Sequence, residues 1–478
     1  MVNAMSNVRA YRPILCLLFT LVALWSVTLP AGAEAGAEDE RVLRLQAIEV
    51  TGNAHTGSDI IIRYVALQPG DAVSTESLES ARRRLLATDY FTEVTLFTRP
   101  GSERGTVVLV VDVKDRSFPT FETGFGYHDL YGWFLTLGGL RFDNLWGTES
   151  QLRVGVRLGW RLGGVDADWR QSLSHGGIYG LGARLYAYST DQRFWAPVTT
   201  DDGQSPPAPG EGGDADWREF QQQINRAGGE VSFDVGSRRS ARLSFGLRAE
   251  SIDPDSTFKD RDSDFEFDYQ DLPGPQQDNV ADASQTGLFM RAVRDTRNTP
   301  VYPSAGSFAR FWLVSNNTWM GGDQTFAKTV LDLRKYFRIR NSLVLGSRLA
   351  GGIASAGTPY YDRFYIGGIY SIRGFAELSL SAPGGDDGYW LANFDLRWRL
   401  AGGTLNTPRV TGLVFVDAGQ GYRRDEPFDY NDINVGAGYG MRFRLPWVGT
   451  LGLDVGIPLT EPRTGNPFWF HGSLGFSF

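Results

Sequence analysis

The sequence predicts a transmembrane antiparallel β-barrel of about sixteen strands, preceded by one small α/β domain. Three observations predict it. From residue 118 onward the chain returns repeatedly to period-two alternation of apolar and polar residues. The 58 Gly, with 13 Trp, 19 Tyr and 30 Phe, fit glycine-punctuated strands carrying interfacial aromatics. The last alternating run finishes on a carboxy-terminal Phe, Phe478.

The N-terminus reads as a secretory signal peptide over residues 1–33. Arg9 and Arg12 supply its positive region, Ile14 to Leu29 its apolar region and Ala31-Gly32-Ala33 its small-residue cleavage site. The single cysteine, Cys16, falls inside that segment, so the exported chain is expected to form no disulfide or thiolate metal site. Residues 34–41 are a short acidic linker. A net charge of -8 offers no basic excess to replace phosphate counterions, which excludes a nucleic-acid partner. No later segment has the eighteen or so apolar residues of a membrane helix, so the remainder is either soluble or a barrel.

Residues 42–115 form the α/β domain. Leu43 to Val50 alternates as a strand and ends at the turn Gly52-Asn53. A short helix follows around Ile60 to Val65. A second begins at Ser74, an N-cap with Glu76 in its first turn, and places Leu78, Ala81, Leu85 and Leu86 at helical spacing. Phe91 to Phe97 and Val107 to Val113 complete a β-α-α-β-β order. Ile48-Glu49-Val50-Thr51-Gly52-Asn53, Gly70-Asp71, Leu86 to Val94 and Val108 to Val113 resemble a polypeptide-transport-associated (POTRA) domain. That resemblance implies an exposed strand edge able to pair with an extended client, and Val107, Leu109, Val111 and Val113 are its expected docking edge.

Residues 116–478 form the barrel. Leu152, Val154, Val156, Leu158 and Trp160 share one face against Arg153, Gly155, Arg157 and Gly159. Ala392, Phe394, Leu396, Trp398 and Leu400 alternate against Asn393, Asp395, Arg397 and Arg399, and Val435 to Phe443 repeats the pattern. Alternation alone suits a soluble sandwich equally well. Strand ends decide: Phe134, Trp146, Trp160, Trp195, Trp398, Trp447 and Trp469 recur there as an interfacial girdle. Phe468, Phe470, Leu474, Phe476 and Phe478 share a face, and Phe476 and Phe478 carry what resembles the closing-strand signal of bacterial outer-membrane proteins. Strands are expected near 118, 133, 150, 163, 177, 220, 240, 284, 306, 325, 342, 388, 409, 433, 449 and 468. The long gaps at 191–219 and 253–283 are expected as extracellular loops, with a third at 355–387.

Within that third gap stands Ile372-Arg373-Gly374-Phe375, and downstream Phe415-Val416-Asp417-Ala418-Gly419. Together they resemble the two hallmark motifs of the outer-membrane assembly superfamily that includes BamA, TamA and the two-partner secretion transporters. Further likeness lies at Asp295 to Gly306, at Asn144 to Gly147, and at Asn393 to Arg397, where Asp395 replaces the more usual Glu. The resemblance implies a long loop folded into the lumen, with Arg373, Gly374 and Phe375 at its tip and Asp417 as its anchor. Asp417 shares the alternation set of Leu413 and Phe415, which places it inside.

Other constellations carry less. Asp260, Asp262, Asp264 and Asp271 fall at calcium-loop spacings, but Phe265 stands where Gly is needed and no Glu closes the set, so a solvated loop is expected. His55, His128, His175 and His471 are scattered as surface or lumen residues. No nucleophile elbow, P-loop or paired-cysteine motif occurs, and neither enzymatic activity nor any cofactor or metal is expected. The family likeness implies protein assembly or translocation at a Gram-negative-type outer membrane, with the POTRA domain in the periplasm. Clients would leave through a weakly paired seam between first and last strands, where Gly124, Gly126, Gly472 and Gly475 loosen packing. The alternatives are a dedicated secretion pore and a passive porin or uptake channel. Implied partners are unfolded outer-membrane or secreted polypeptides, outer-membrane lipid and lipopolysaccharide, with periplasmic chaperones or accessory subunits as further candidates.

Overall fold

The computed structural model describes residues 43–478 apart from 87, 89, 129–131, 174–177, 199–215, 238–240, 262–265, 269–281, 300–301, 405–406, 428, 446–448, 464 and 475–478. The expected signal peptide and linker, Trp447, Phe476 and Phe478 lie outside the described residues.

The first domain runs β1 (Leu43–Thr51), α1 (Ser58–Val65), β2 (Ala72–Val73), α2 (Thr75–Leu86), β3 (Phe91–Pro100) and β4 (Thr106–Asp115). The expected order is met, with the two-residue β2 added. Ser74 caps α2 by accepting the Ser77 N–H at 3.1 Å. Ile61 and Val65 of α1 and Ala81 and Leu85 of α2 pack on Leu109 and Val111 of β4 in one buried cluster.

One expectation is corrected here. The sheet order is β2-β1-β4-β3, so β4, carrying Val107, Leu109, Val111 and Val113, is a central strand. It pairs in parallel with β1 and antiparallel with β3, which consumes its backbone groups on both sides. The unbroken apolar run Val107 to Val111 reflects cover on the two faces of the strand and does not report which strands flank it. The long free edge belongs to β3, where Phe97 is half exposed.

Sixteen antiparallel strands then close the barrel among the described residues. They begin with β5 (Thr120–His128), β6 (Gly132–Leu145), β7 (Ser150–Gly159), β8 (Leu162–Ser172), β9 (Tyr179–Val198), β10 (Asp216–Ser237) and β11 (Ala241–Pro254). They continue through β14 (Ala283–Asp295), β15 (Gly306–Asn316), β16 (Phe326–Arg340), β17 (Leu343–Ala354), β18 (Gly388–Thr404) and β19 (Thr407–Tyr422), and end with β20 (Asn434–Leu445), β21 (Gly449–Pro458) and β22 (Trp469–Leu474). Each expected strand is present. Leu158, Phe394, Val414 and Tyr439 are exposed on the outer face, while Asp395, Arg397 and Asp417 are buried inside.

Two features depart from expectation at the end of the barrel far from the POTRA domain. Part of the 253–283 gap is ordered as the hairpin β12 (Thr257–Asp260) and β13 (Glu266–Asp268), and β12 pairs with β10. Asp260 accepts from Arg218 at 3.2 Å, whereas Asp262, Asp264 and Asp271 lie outside the described residues. Strands β9 and β10, of 20 and 22 residues, exceed the ten or so that cross a bilayer and continue beyond it. Trp195 therefore leaves the girdle and donates its indole N–H to the Glu377 carbonyl at 2.9 Å.

Candidate functional site

The connection between β17 and β18 turns back into the lumen, and its tip is held by charge. Arg373 is held through both its backbone and its guanidinium. Its backbone N–H and Nε both donate to Asp417 Oδ2, at 3.0 and 2.6 Å, and Nη2 donates to Asp417 Oδ1 at 2.8 Å and to Asp395 Oδ1 at 2.7 Å. Nη1 stands 3.6 Å from Asp454 Oδ2, and the guanidinium lies 3.7 Å from the centre of the Phe415 ring. The expected bidentate bond is thus present, and it belongs to a larger network. Asp395 also accepts from Arg397 at 2.8 Å, and Arg442 grips both oxygens of Asp454.

Strand alternation supplies these partners. Asp395, Asp417 and Asp454 are inward residues of β18, β19 and β21, and each is buried. The tip reaches them because the wall beneath it is bare. A Cβ on Gly436 of β20 or Gly456 of β21 would strike the backbone of Arg373 and Gly374. Gly374 has φ +99, a conformation that penalises any side chain, and donates its N–H to His471 Nε2 of β22 at 3.1 Å. Phe375 is fully buried with Ala350, Ile366, Ile372 and Leu391, so the expected plug packs against the wall.

The stem of the loop has a second anchorage that sequence reasoning missed. Asp362 accepts from Arg226 at 3.2 Å and from Gln285 at 2.7 Å, and Gln324 donates to the Tyr361 hydroxyl at 2.8 Å. Tyr360 and Tyr361 join Phe194, Phe220, Ile252 and Phe258 in a buried cluster contributed by β9, β10, β11 and β12. Asp386, near the loop's return to β18, has its carboxyl pKa pushed up to about 7 by burial, against the opposing pull of the Ser381 hydroxyl and the Ala382 N–H. Asp454, Arg442 and His471 were also missed as partners, although each stood on an inward position of a readable strand.

A model of the Omp85 superfamily domain matches residues 144–478, and one of the surface antigen variable number repeat, a POTRA unit, matches 43–116. The chain belongs to the Omp85 superfamily. Within that superfamily it is 24% identical over 434 residues to the outer membrane protein assembly factor BamA of Nitratidesulfovibrio vulgaris, covering 88% of this chain and 49% of that one. A sorting and assembly machinery component 50 homolog of Xenopus tropicalis is 30% identical over 121 residues, or 23% of this chain and 26% of that one. The chain therefore spans half or less of these curated relatives. Among solved structures, BamA from Haemophilus ducreyi lacking POTRA domains 1-3 superposes with TM-score 0.66 at 18% identity, covering 91% of this Omp85 chain and 85% of that one. CdiB from Acinetobacter baumannii gives TM-score 0.55 at 16% identity, covering 92% and 74%.

Proposed function

We propose that this Omp85 protein resides in a bacterial outer membrane, with its POTRA domain in the periplasm, and passes polypeptide clients into or across that membrane without catalysing a reaction. The observation that carries the proposal is a lumenal loop pinned by the buried Arg373 network and bonded through Gly374 to His471 of the closing strand. Among the described residues, β22 pairs with β21 through six registered residues and with β5 through two, Ser473↔His128 and Leu474↔Tyr127. Docking by β-augmentation falls to the free edge of β3. The likeness to assembly factors over 88% of the chain favours assembly over a dedicated secretion pore. The buried aromatic cluster at the outer end weighs against a passive porin. Depletion followed by outer-membrane proteomics tests the reading: assembly predicts loss of many barrels. Loss of one exoprotein would replace it with dedicated secretion, and an unchanged proteome would overturn both.

A further inference from the structure

We propose that His471 is a positioning residue that ties the lumenal loop to the closing strand, so that anchorage of the loop sets how firmly the β22–β5 seam is held.

Seen from the lumen, β22 presents His471 and Ser473, both buried. The His471 Nε2 accepts the Gly374 N–H, which places the ring proton on Nδ1, facing Glu377 Oε1 of the same loop at 3.8 Å. Both ring nitrogens therefore face the loop. Gly374 directly follows Arg373, whose carboxylate partners stand on β18, β19 and β21. His471 lies opposite Asp454 in the β21–β22 register, so neighbouring strands grip consecutive residues of the tip. The tip thereby stitches the closing strand to β19 and β21 from inside.

That internal tie matters because β22 stands at the junction where the barrel closes on β5. Toward β5 the described pairing is two residues long, and a Cβ on Gly126 of β5 would collide with the Leu474 carbonyl and the Phe134 ring. An inward tie at His471 adds a restraint on β22 that is independent of the ladder. Release of the tip from Asp417 then removes the restraint on β22. The coupling goes beyond the proposed function, because it requires no client.

Hydrogen exchange of the full chain in lipid nanodiscs tests it, with heat-modified gel mobility as the check on folding. His471→Ala is expected to raise exchange in 469–474 and 120–128 by about tenfold or more while 216–237 and 241–254 stay protected. His471→Gln, whose Oε1 can accept the same N–H, is expected to restore most of that protection. Arg373→Ala is the deciding variant, and coupling predicts that it too deprotects 469–474. Unchanged exchange there in Arg373→Ala overturns the proposal, as does unchanged exchange in a folded His471→Ala. If His471→Ala fails to fold, Arg373→Ala and His471→Gln still decide the matter.

Discussion

Arg373 carries a full positive charge into the barrel wall, and both it and Asp417 are buried. At such a site the pair contributes less by attraction than its disruption costs, because each partner left alone is an uncompensated buried charge. Arg373→Ala and Asp417→Ala are each expected to destabilise the barrel by roughly 3–5 kcal/mol. The double variant should be no worse than the poorer single one, since the penalty is shared. Unfolding midpoints by heat-modified mobility check this, and additive losses would sink the pairing. The Arg373–Asp417 bond was legible in the sequence because two motifs and an alternation register converged on it. The wider network was not: alternation shows that Asp454 or His471 points inward, but not which inward groups meet across a lumen. That depends on where the loop tip lands, and the tip lands where Gly436 and Gly456 remove the Cβ atoms.

Strands were more readable than their neighbours. Period two gave every barrel strand, because one face meets lipid and the other water. Inside the POTRA sheet the free edge implied by the resemblance was assigned to the wrong strand, because a run such as Val107 to Val111 does not say which strands flank it. The corrected edge carries its own prediction. A photo-crosslinking residue in place of Phe97 on β3 is expected to capture clients in cells, and the same residue in place of Val111 is not; equal capture at both would overturn docking on β3. The loop element carries a pH prediction through Asp386. With its folded pKa raised to about 7 and the unfolded one near 3.9, the two states are alike below about pH 4. As pH rises from 4 to 7 the unfolded chain ionises while the folded carboxyl resists, so stability falls across that window and levels off above it. Asp386→Asn keeps an acceptor for the Ala382 N–H and abolishes the titration. Its thermal midpoint should gain on the parent between pH 4.5 and pH 8, and a constant difference across that range would count against the assignment.

For the whole molecule, the decisive question is whether the lumen at rest joins the two sides of the membrane. Composition could not answer it, because porins and translocation barrels share the same girdles and alternation. The structure adds two packed contacts of the loop with the wall, which are expected to act as closures in series. Near mid-barrel the tip carries Arg373 and Phe375 onto the wall, and at the outer end Phe194, Phe220 and Phe258 enclose Tyr360 and Tyr361. In the second the Tyr360 and Phe258 rings meet edge to face at 5.9 Å, and the Tyr360 and Tyr361 hydroxyls are hydrogen-bonded to Gln222 and Gln324. Opening it would expose several large aromatic faces, each worth roughly 2–3 kcal/mol of burial, so thermal fluctuation alone should rarely do so. The purified protein in planar bilayers is accordingly expected to conduct little and in brief events. Tyr360→Ser combined with Phe258→Ala should leave conductance low while the Arg373 network still holds the tip, and adding Arg373→Ala should convert these events to longer, larger openings. Arg373→Ala alone should change conductance less than it changes exchange at β22, because it frees the tip without dismantling the outer cluster. Steady, porin-sized conductance from the parent protein would show that neither closure seals the lumen, and would favour the passive channel.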